Sequence, residues 1–471
     1  MEKTIYTLLA TLLWLLCSGL NAQAQSSVCD DGPQAQGEPN YRLQVFTSRE
    51  WNASNFASPK DLEWFREARF GTLISFGLSR GQEISWGYCH TRKPPDRGEG
   101  PVPDEVWTQW PKEMKLERFN AREWVSIARQ AGLNYVVVIA KHHDGFHMWD
   151  TAFSDFKITN TPFGRDYLKE VADACHEAHM PFGIYYSQRD WYHPDYAPVD
   201  PRSKPGESRR PGPSHRKYID YQFKVVRELC TKYGKVDIFW FDAHYWGGMF
   251  RAEDWDSERL TRLVRELQPG ILINNRASLP GDFDTPEQIV GKFQNTRPWE
   301  SAITLSRSWA WSDAPAKSEA DVIRTIVGCA TGDGNLLLGL GPRPDGSFDP
   351  SHIARLKEVG DWLKRYGGSI YGTRGGPFLN GAWGGSTYKG KTVWLHILGW
   401  GDGSLKLGPL AQKITGARVL TGGKATYRQS ADGVDVDLAK EQRDPVDTII
   451  EIRLDRPVVE GQKLAAIRPN P

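Results

Sequence analysis

Short, continuous apolar runs recur along the first three quarters of the chain. They stand at 70–78 (FGTLISFGL), 134–141 (NYVVVIAK), 181–187 (PFGIYYS), 236–242 (VDIFWFD), 271–275 (ILINN) and 335–341 (NLLLGLG). Each is too short and too evenly apolar for a surface helix, and each predicts a buried parallel strand. Between them, apolar residues three and four apart predict helices over 121–131 (with Asn120 as cap), 166–179, 216–232, 256–267 and 352–366. Strand–helix alternation sustained this long predicts an α/β chain folded as a (β/α)8 TIM-like barrel. No glycine-rich phosphate fingerprint follows the first strand, which argues against a dinucleotide-binding sheet. Near residue 376 the texture changes. Residues 392–400, 416–421, 424–428, 433–438 and 448–454 alternate polar and apolar positions between Gly and Asp turns, as in a small antiparallel β-sandwich.

The N-terminus modifies this picture. Lys3 precedes an apolar stretch at 5–16 that is short for a membrane span, and Ala22-Gln23-Ala24 is a small-x-small cleavage pattern. Residues 1–24 therefore read as a signal peptide cleaved near Ala24–Gln25. Leu16 precedes Cys17, where a lipoprotein signal carries a small residue. The expected division is 25–45 as an irregular N-terminal segment, 46–375 as the barrel and 376–471 as the sandwich. The segment 197–215, rich in Pro, Gly and charge, predicts a long loop. No later stretch is long and apolar enough to span a membrane. Export with no disulfide pattern suggests the periplasm of a Gram-negative bacterium: Cys29, Cys89, Cys175, Cys230 and Cys329 are an odd, scattered set. A net charge of +1 argues against nucleic acid as a partner. The 19 tryptophans serve a core and also stack on sugar rings.

In such a barrel, reactive groups sit where strands end. The predicted ends carry Ser75; His142, His143 and Asp144; Tyr185, Tyr186 and Ser187; Trp240 and Asp242; Asn275 and Arg276; then Trp299-Glu300 and Trp309. Alternation puts Ile238, Trp240 and Asp242 on one face, which makes Asp242 a candidate nucleophile. A helix cap or loop carboxylate is the alternative. Hydrolysis of a glycosidic bond takes two carboxyl groups. Glu300 is the candidate partner, because burial against Trp299 raises a carboxyl pKa as a general acid requires. Adjacent histidines on a strand point to opposite faces, and His142 and His143 have no HExxH partner, so a metal site is disfavoured. No GxSxG elbow supports a serine triad. A buried structural histidine, or recognition of sugar hydroxyls by neutral imidazole, remains.

Several stretches occur in order: AKHHDGFHMWDTAFSDFKITNTPFGRD, FGIYYSQRDWYHPDY, VDIFWFDA, GNLLLGLGPRPDGSFDP and GGSIYGTRGGPF. Together they resemble the α-L-fucosidases of glycoside hydrolase family 29, over roughly residues 45–380. The resemblance implies a retaining exo-glycosidase acting on a carbohydrate, with a barrel followed by a β-sandwich, no cofactor and no metal. By motif, Asp242 is the expected nucleophile and Glu300 the expected acid/base. His142 and His143 bind ring hydroxyls, Tyr186 and Trp240 line the sugar pocket, and Arg276 approaches the ring oxygen. The chain also departs from the family pattern. Ser75 stands where the family has a sugar-binding histidine, and Phe76 replaces a tryptophan. The family's glutamate–tryptophan pair is spread out here as Glu83 and Trp86. TLSRSWAWS, with Arg307, Trp309 and Ala310, replaces the usual seventh-strand motif. The change to Ser75 opens volume where an L-sugar with an extra C6 hydroxyl would fit. That suggests L-galactose, as in algal galactan oligosaccharides, as an alternative to L-fucose. A catalytically inactive sugar-binding protein on the same fold is the alternative from another class.

Overall fold

A computed structural model describes residues 46–78, 107–190, 192–196, 215–242, 252–401, 403–460 and 465. The predicted signal peptide, the 25–45 segment, Glu83, Trp86, Cys29, Cys89 and nearly all of the 197–215 loop lie outside the described residues.

Among the described residues, two helices precede the first strand: α1 (Ser48–Ala53) and α2 (Pro59–Ala68). Ser58 caps α2 by accepting the Asp61 N–H, and Pro59 fits the first helical position, where no N–H is needed. Seven strands then alternate with helices. They are β1 (Phe70–Ile74), β2 (Val136–Lys141), β3 (Phe182–Ser187), β4 (Ile238–Asp242), β5 (Leu272–Ile273), β6 (Glu300–Thr304) and β7 (Asn335–Leu340). The helices are α3 (Ala121–Gln130), α4 (Tyr167–Glu177), α5 (His215–Lys232), α6 (Ser257–Leu267), α7 (Glu319–Thr331) and α8 (Pro350–Tyr366). Side chains of Asn120, Asp166, Ser318 and Asp349 cap α3, α4, α7 and α8. The strands form one parallel sheet in the order β5-β4-β3-β2-β1-β7-β6. The stretch 283–287 lies between its two edges: Phe283 bridges to Asn274 beyond β5, and Asp284 and Glu287 bridge to Trp299 and Ala302, all in the parallel sense.

Alternation along each strand separates two cores. Leu73, Tyr135, Val137, Ile139, Tyr185, Ile238, Trp240, Leu272, Phe283, Ala302 and Leu337 pack together on the inner face. Their neighbours, such as Val136, Ile184, Tyr186, Phe241 and Leu338, face the helices in the larger cluster. The 271–275 run is shorter as a strand than its apolar pattern predicts. The chain leaves the sheet after Ile273 and turns through a 3-10 segment at Asn275–Ala277.

Beyond α8 the chain is antiparallel. One sheet has five strands: β8 (Arg374–Gly375), β9 (Gly384–Lys389), β10 (Thr392–Ile397), β12 (Ile414–Val419) and β15 (Thr448–Leu454). The other has three: β11 (Leu405–Leu407), β13 (Thr426–Ser430) and β14 (Gly433–Asp437). Both contribute to a third core that includes Val393, Leu395, Leu407, Val436 and Ile452. The architecture is thus mixed α/β: a parallel sheet covered by helices, then antiparallel sheets. The described helices include none long and apolar enough to cross a membrane. Cys175, Cys230 and Cys329 are buried free thiols.

Candidate active site

The C-terminal ends of the strands bring buried polar groups together. The register of β3 against β4 sets Tyr185 beside Trp240 and Ser187 beside Asp242, all on the inner face. Asp242, the last residue of β4, is 6% exposed. Its Oδ2 accepts from the Tyr185 hydroxyl at 2.5 Å, and its Oδ1 from Arg276 Nη1 at 3.2 Å. Burial raises its pKa, and the Glu287 charge adds to the rise. Arg276 and the Tyr185 bond oppose it.

The two histidines lie on the same side of the chain, against expectation. A register irregularity between Ile139 and Lys141 ends the alternation, and His142 and His143 follow the last strand residue in a turn. Their rings are 4.2 Å apart. His143 Nδ1 meets Ser187 Oγ at 2.5 Å, and its Nε2 lies 3.8 Å from Asp242 Oδ2. Burial, reinforced by His142, Arg189, Lys141 and Arg276, lowers the His143 pKa well below its ordinary value, so the ring is neutral. Donor atoms of His142, His143 and Asp242 fall within 4.8 Å of one another, a metal-like spacing. Arg276 already places a cation on Asp242, however, and a neutral imidazole with an ionised carboxylate also suits sugar hydroxyls.

Aromatic faces line the same wall. His142 stacks on Tyr185 (5.4 Å between ring centroids, 3° between planes), and Tyr185 stacks on Trp240 (5.4 Å, 18°). The Arg276 guanidinium rests 4.5 Å from the Trp240 ring centre. Tyr186, expected in the pocket, points the other way. It pairs with Phe241, packs among the helix-facing aromatics and carries Lys141 4.9 Å over its ring. Period-two alternation therefore gives the pocket Tyr185 in its place.

Glu300, the expected partner carboxylate, does not meet Asp242. Glu300 is the first residue of β6, so it lies at the opposite end of the sheet from the last residue of β4. It is fully buried, and its oxygens accept from the Trp240 indole N–H at 3.0 Å and from the Tyr135 hydroxyl. Burial pushes its pKa up to about 7 against those two hydrogen bonds. Asp242 and Glu300 are thus separated by the Trp240 side chain. Glu287 takes the place near Asp242. Its Oε2 accepts from Arg276 Nη2 at 2.6 Å, and its Oε1 from the Trp309 indole N–H at 3.1 Å. Thr285 Oγ1 accepts the Arg276 Nε–H at 2.9 Å and so fixes the guanidinium between the carboxylates. Trp309 lies against Gly339, where a Cβ would come within 2.5 Å of the indole. Glu287 escaped the sequence reading because its segment, DTPEQ, is polar and broken by Pro286. The available signal was distance: about 60 residues between the 271–275 and 335–341 runs leave room for two strands. Ser75, on the inner face beyond β1, is buried, and its Oγ has no hydrogen-bond partner among the described residues.

Comparisons with known proteins agree on one family. Residues 42–368 match the profile of the family described as Alpha-L-fucosidase. Alpha-L-fucosidase isoenzyme 1 from Paenibacillus thiaminolyticus is 31% identical, with a TM-score of 0.74 over 84% of this chain and 99% of that one. The plasma alpha-L-fucosidase of Homo sapiens is 26% identical over 382 residues, spanning 73% of this chain and 78% of the relative. An alpha-L-fucosidase from Bacteroides thetaiotaomicron, solved as a covalent intermediate trapped with 2-fluoro-fucosyl fluoride, shares the fold. Its TM-score is 0.72 at 23% identity, over 87% of this chain and 100% of that one.

Proposed function

Because the chain belongs to the α-L-fucosidase family of glycoside hydrolases, we propose that it is a retaining exo-α-L-fucosidase with Asp242 as nucleophile and Glu287 as acid/base. The observation that carries this reading is the single guanidinium of Arg276, which donates to both carboxylates, at 3.2 Å and 2.6 Å. Two carboxylates held by one guanidinium are close neighbours, and the Glu287 charge acts on Asp242, as the short spacing of a retaining pair requires. The eight parallel segments, counting 283–287, support a closed (β/α)8 barrel, and the two antiparallel sheets support a sandwich behind it. Export through the N-terminal signal belongs to the same proposal.

In the first step an Asp242 oxygen attacks the anomeric carbon while the bond to the leaving oxygen breaks, and Glu287 gives that oxygen its proton. In the second step a water gives its proton to Glu287 and attacks the same carbon, which releases the sugar and restores the Asp242 carboxylate. The first step requires a proton on Glu287 and none on Asp242. His142 and His143 meet sugar hydroxyls, and the slab of Tyr185 and Trp240 supports the ring face.

The nucleophile works only when ionised, and its pKa is raised. The acid limb of kcat/KM on an aryl α-L-fucoside is therefore expected above the ordinary aspartate range. A pH–rate profile measured at low substrate checks this, and an acid limb at or below that range contradicts it.

The Ser75 hydroxyl, without a hydrogen-bond partner among the described residues, favours a second reading, in which the pocket also takes L-galactose. On that reading Ser75→His lowers kcat/KM on an α-L-galactoside by about tenfold and leaves the α-L-fucoside within a few-fold. Paired initial rates test it, and an unchanged galactoside-to-fucoside ratio removes Ser75 as the cause.

A further inference from the structure

Glu300 takes no part in the bond-making steps above, and the inference that follows rests on that reading of Asp242 and Glu287. The groups around Glu300 come from four elements: Tyr135 ahead of β2, Trp240 on β4, Arg276 beyond β5 and Cys329 on α7. Its hydrogen bond toward the site is the one it accepts from the Trp240 N–H at 3.0 Å. Trp240 in turn lies against Tyr185 and under Arg276. Tyr185 and Arg276 are the two hydrogen-bond donors on the Asp242 carboxylate. A chain of contacts therefore runs from Glu300 through one indole to both groups that aim the nucleophile.

We infer that Glu300 is a positioning residue for the hydrolysis: by accepting the Trp240 N–H it fixes the rotation of the indole on which Tyr185 and Arg276 rest, and through them the direction of Asp242. The bond does not require a charge on Glu300. A carboxylate accepts both hydrogens, whereas a carboxyl or an amide accepts from Trp240 and donates to Tyr135. Glu300→Gln therefore keeps the support. Glu300→Leu leaves a buried indole N–H without an acceptor, and the ring must shift or tilt to find one. A displacement of about 1 Å at the reacting atoms costs on the order of 100-fold in rate.

The test compares Glu300→Gln, Glu300→Leu, Trp240→Phe and the double variant Glu300→Leu/Trp240→Phe, using kcat and KM on an aryl α-L-fucoside. Glu300→Gln is expected to keep kcat/KM within about fivefold of wild type with an unshifted pH profile. Glu300→Leu and Trp240→Phe are each expected to lose about 100-fold, and the double variant no more than the worse of the two. Additive losses overturn the inference, as does a Glu300→Gln enzyme as poor as Glu300→Leu. If circular dichroism finds Glu300→Leu unfolded, Trp240→Phe and Glu300→Gln carry the comparison. A low Trp240→Phe beside a near-normal Glu300→Gln supports the inference, and any other pairing overturns it. Glu287→Gln, assayed in parallel with azide, keeps the two readings apart. If azide rescues Glu287→Gln while Glu300→Leu matches wild type, only the positioning role falls. If azide rescues Glu300→Gln instead, Glu300 is the acid/base and the assignment to Glu287 falls with it.

Discussion

Asp242→Asn is expected to lower kcat on an aryl α-L-fucoside on the order of 10⁴-fold while leaving L-fucose binding measurable. The amide has the shape of the carboxylate and keeps an oxygen for Arg276 or Tyr185, so the surroundings have little reason to rearrange. It lacks the charge and the lone pair that form the bond to the anomeric carbon. Steady-state kinetics and titration calorimetry with L-fucose, run on the same preparation, separate the two effects. An unaltered rate excludes Asp242 as nucleophile. A wild type that binds the sugar but turns over neither an α-L-fucoside nor an α-L-galactoside points to the sugar-binding protein.

Glu287→Gln is expected to reduce kcat/KM by about 10³-fold on substrates whose leaving group needs a proton, and by far less on an α-L-fucosyl fluoride. The amide oxygen keeps one of the two hydrogen bonds, from Arg276 or from Trp309, and loses the other because the amide nitrogen only donates. What it loses is the transferable proton, so the size of the defect tracks the basicity of the leaving oxygen. Azide, which needs no general base, restores the second step and yields a fucosyl azide. A loss that is the same for every leaving group means that Glu287 orders the site and does not supply its proton.

The parallel-sheet half was legible because buried parallel strands are apolar on both faces. Runs such as VVVIA and IFWF, short and rich in β-branched and aromatic residues, suit that setting. The same rule failed where the chain is polar. The 283–287 stretch carries Asp284, Thr285, Pro286 and Glu287, resembles a loop, and holds one of the two proposed catalytic carboxylates. Asp242 was found because it ends a strand whose inner face could be counted. Applied to β3, the same count selects Tyr185 over Tyr186, and the pocket has Tyr185. The histidine pair could not be placed by counting. The register irregularity at Ile139–Lys141, invisible in a run of apolar letters, turns both rings toward Asp242. Glu300 was singled out for its burial beside a tryptophan. It is buried, with a raised pKa, but the indole it holds is Trp240 and its strand position is a start. Burial alone identifies an unusual carboxyl group, and strand polarity decides whether it can reach a substrate.

The most direct measurement is mass spectrometry of the protein after incubation with 2-fluoro-fucosyl fluoride. The account predicts one 2-fluoro-fucosyl unit per chain, attached as an ester on the peptide that carries Asp242 with release of the anomeric fluoride, formed by wild type and absent from Asp242→Asn. An ester on Glu287 or Glu300, or hydrolysis of the reagent with no covalent adduct at any time, would contradict it.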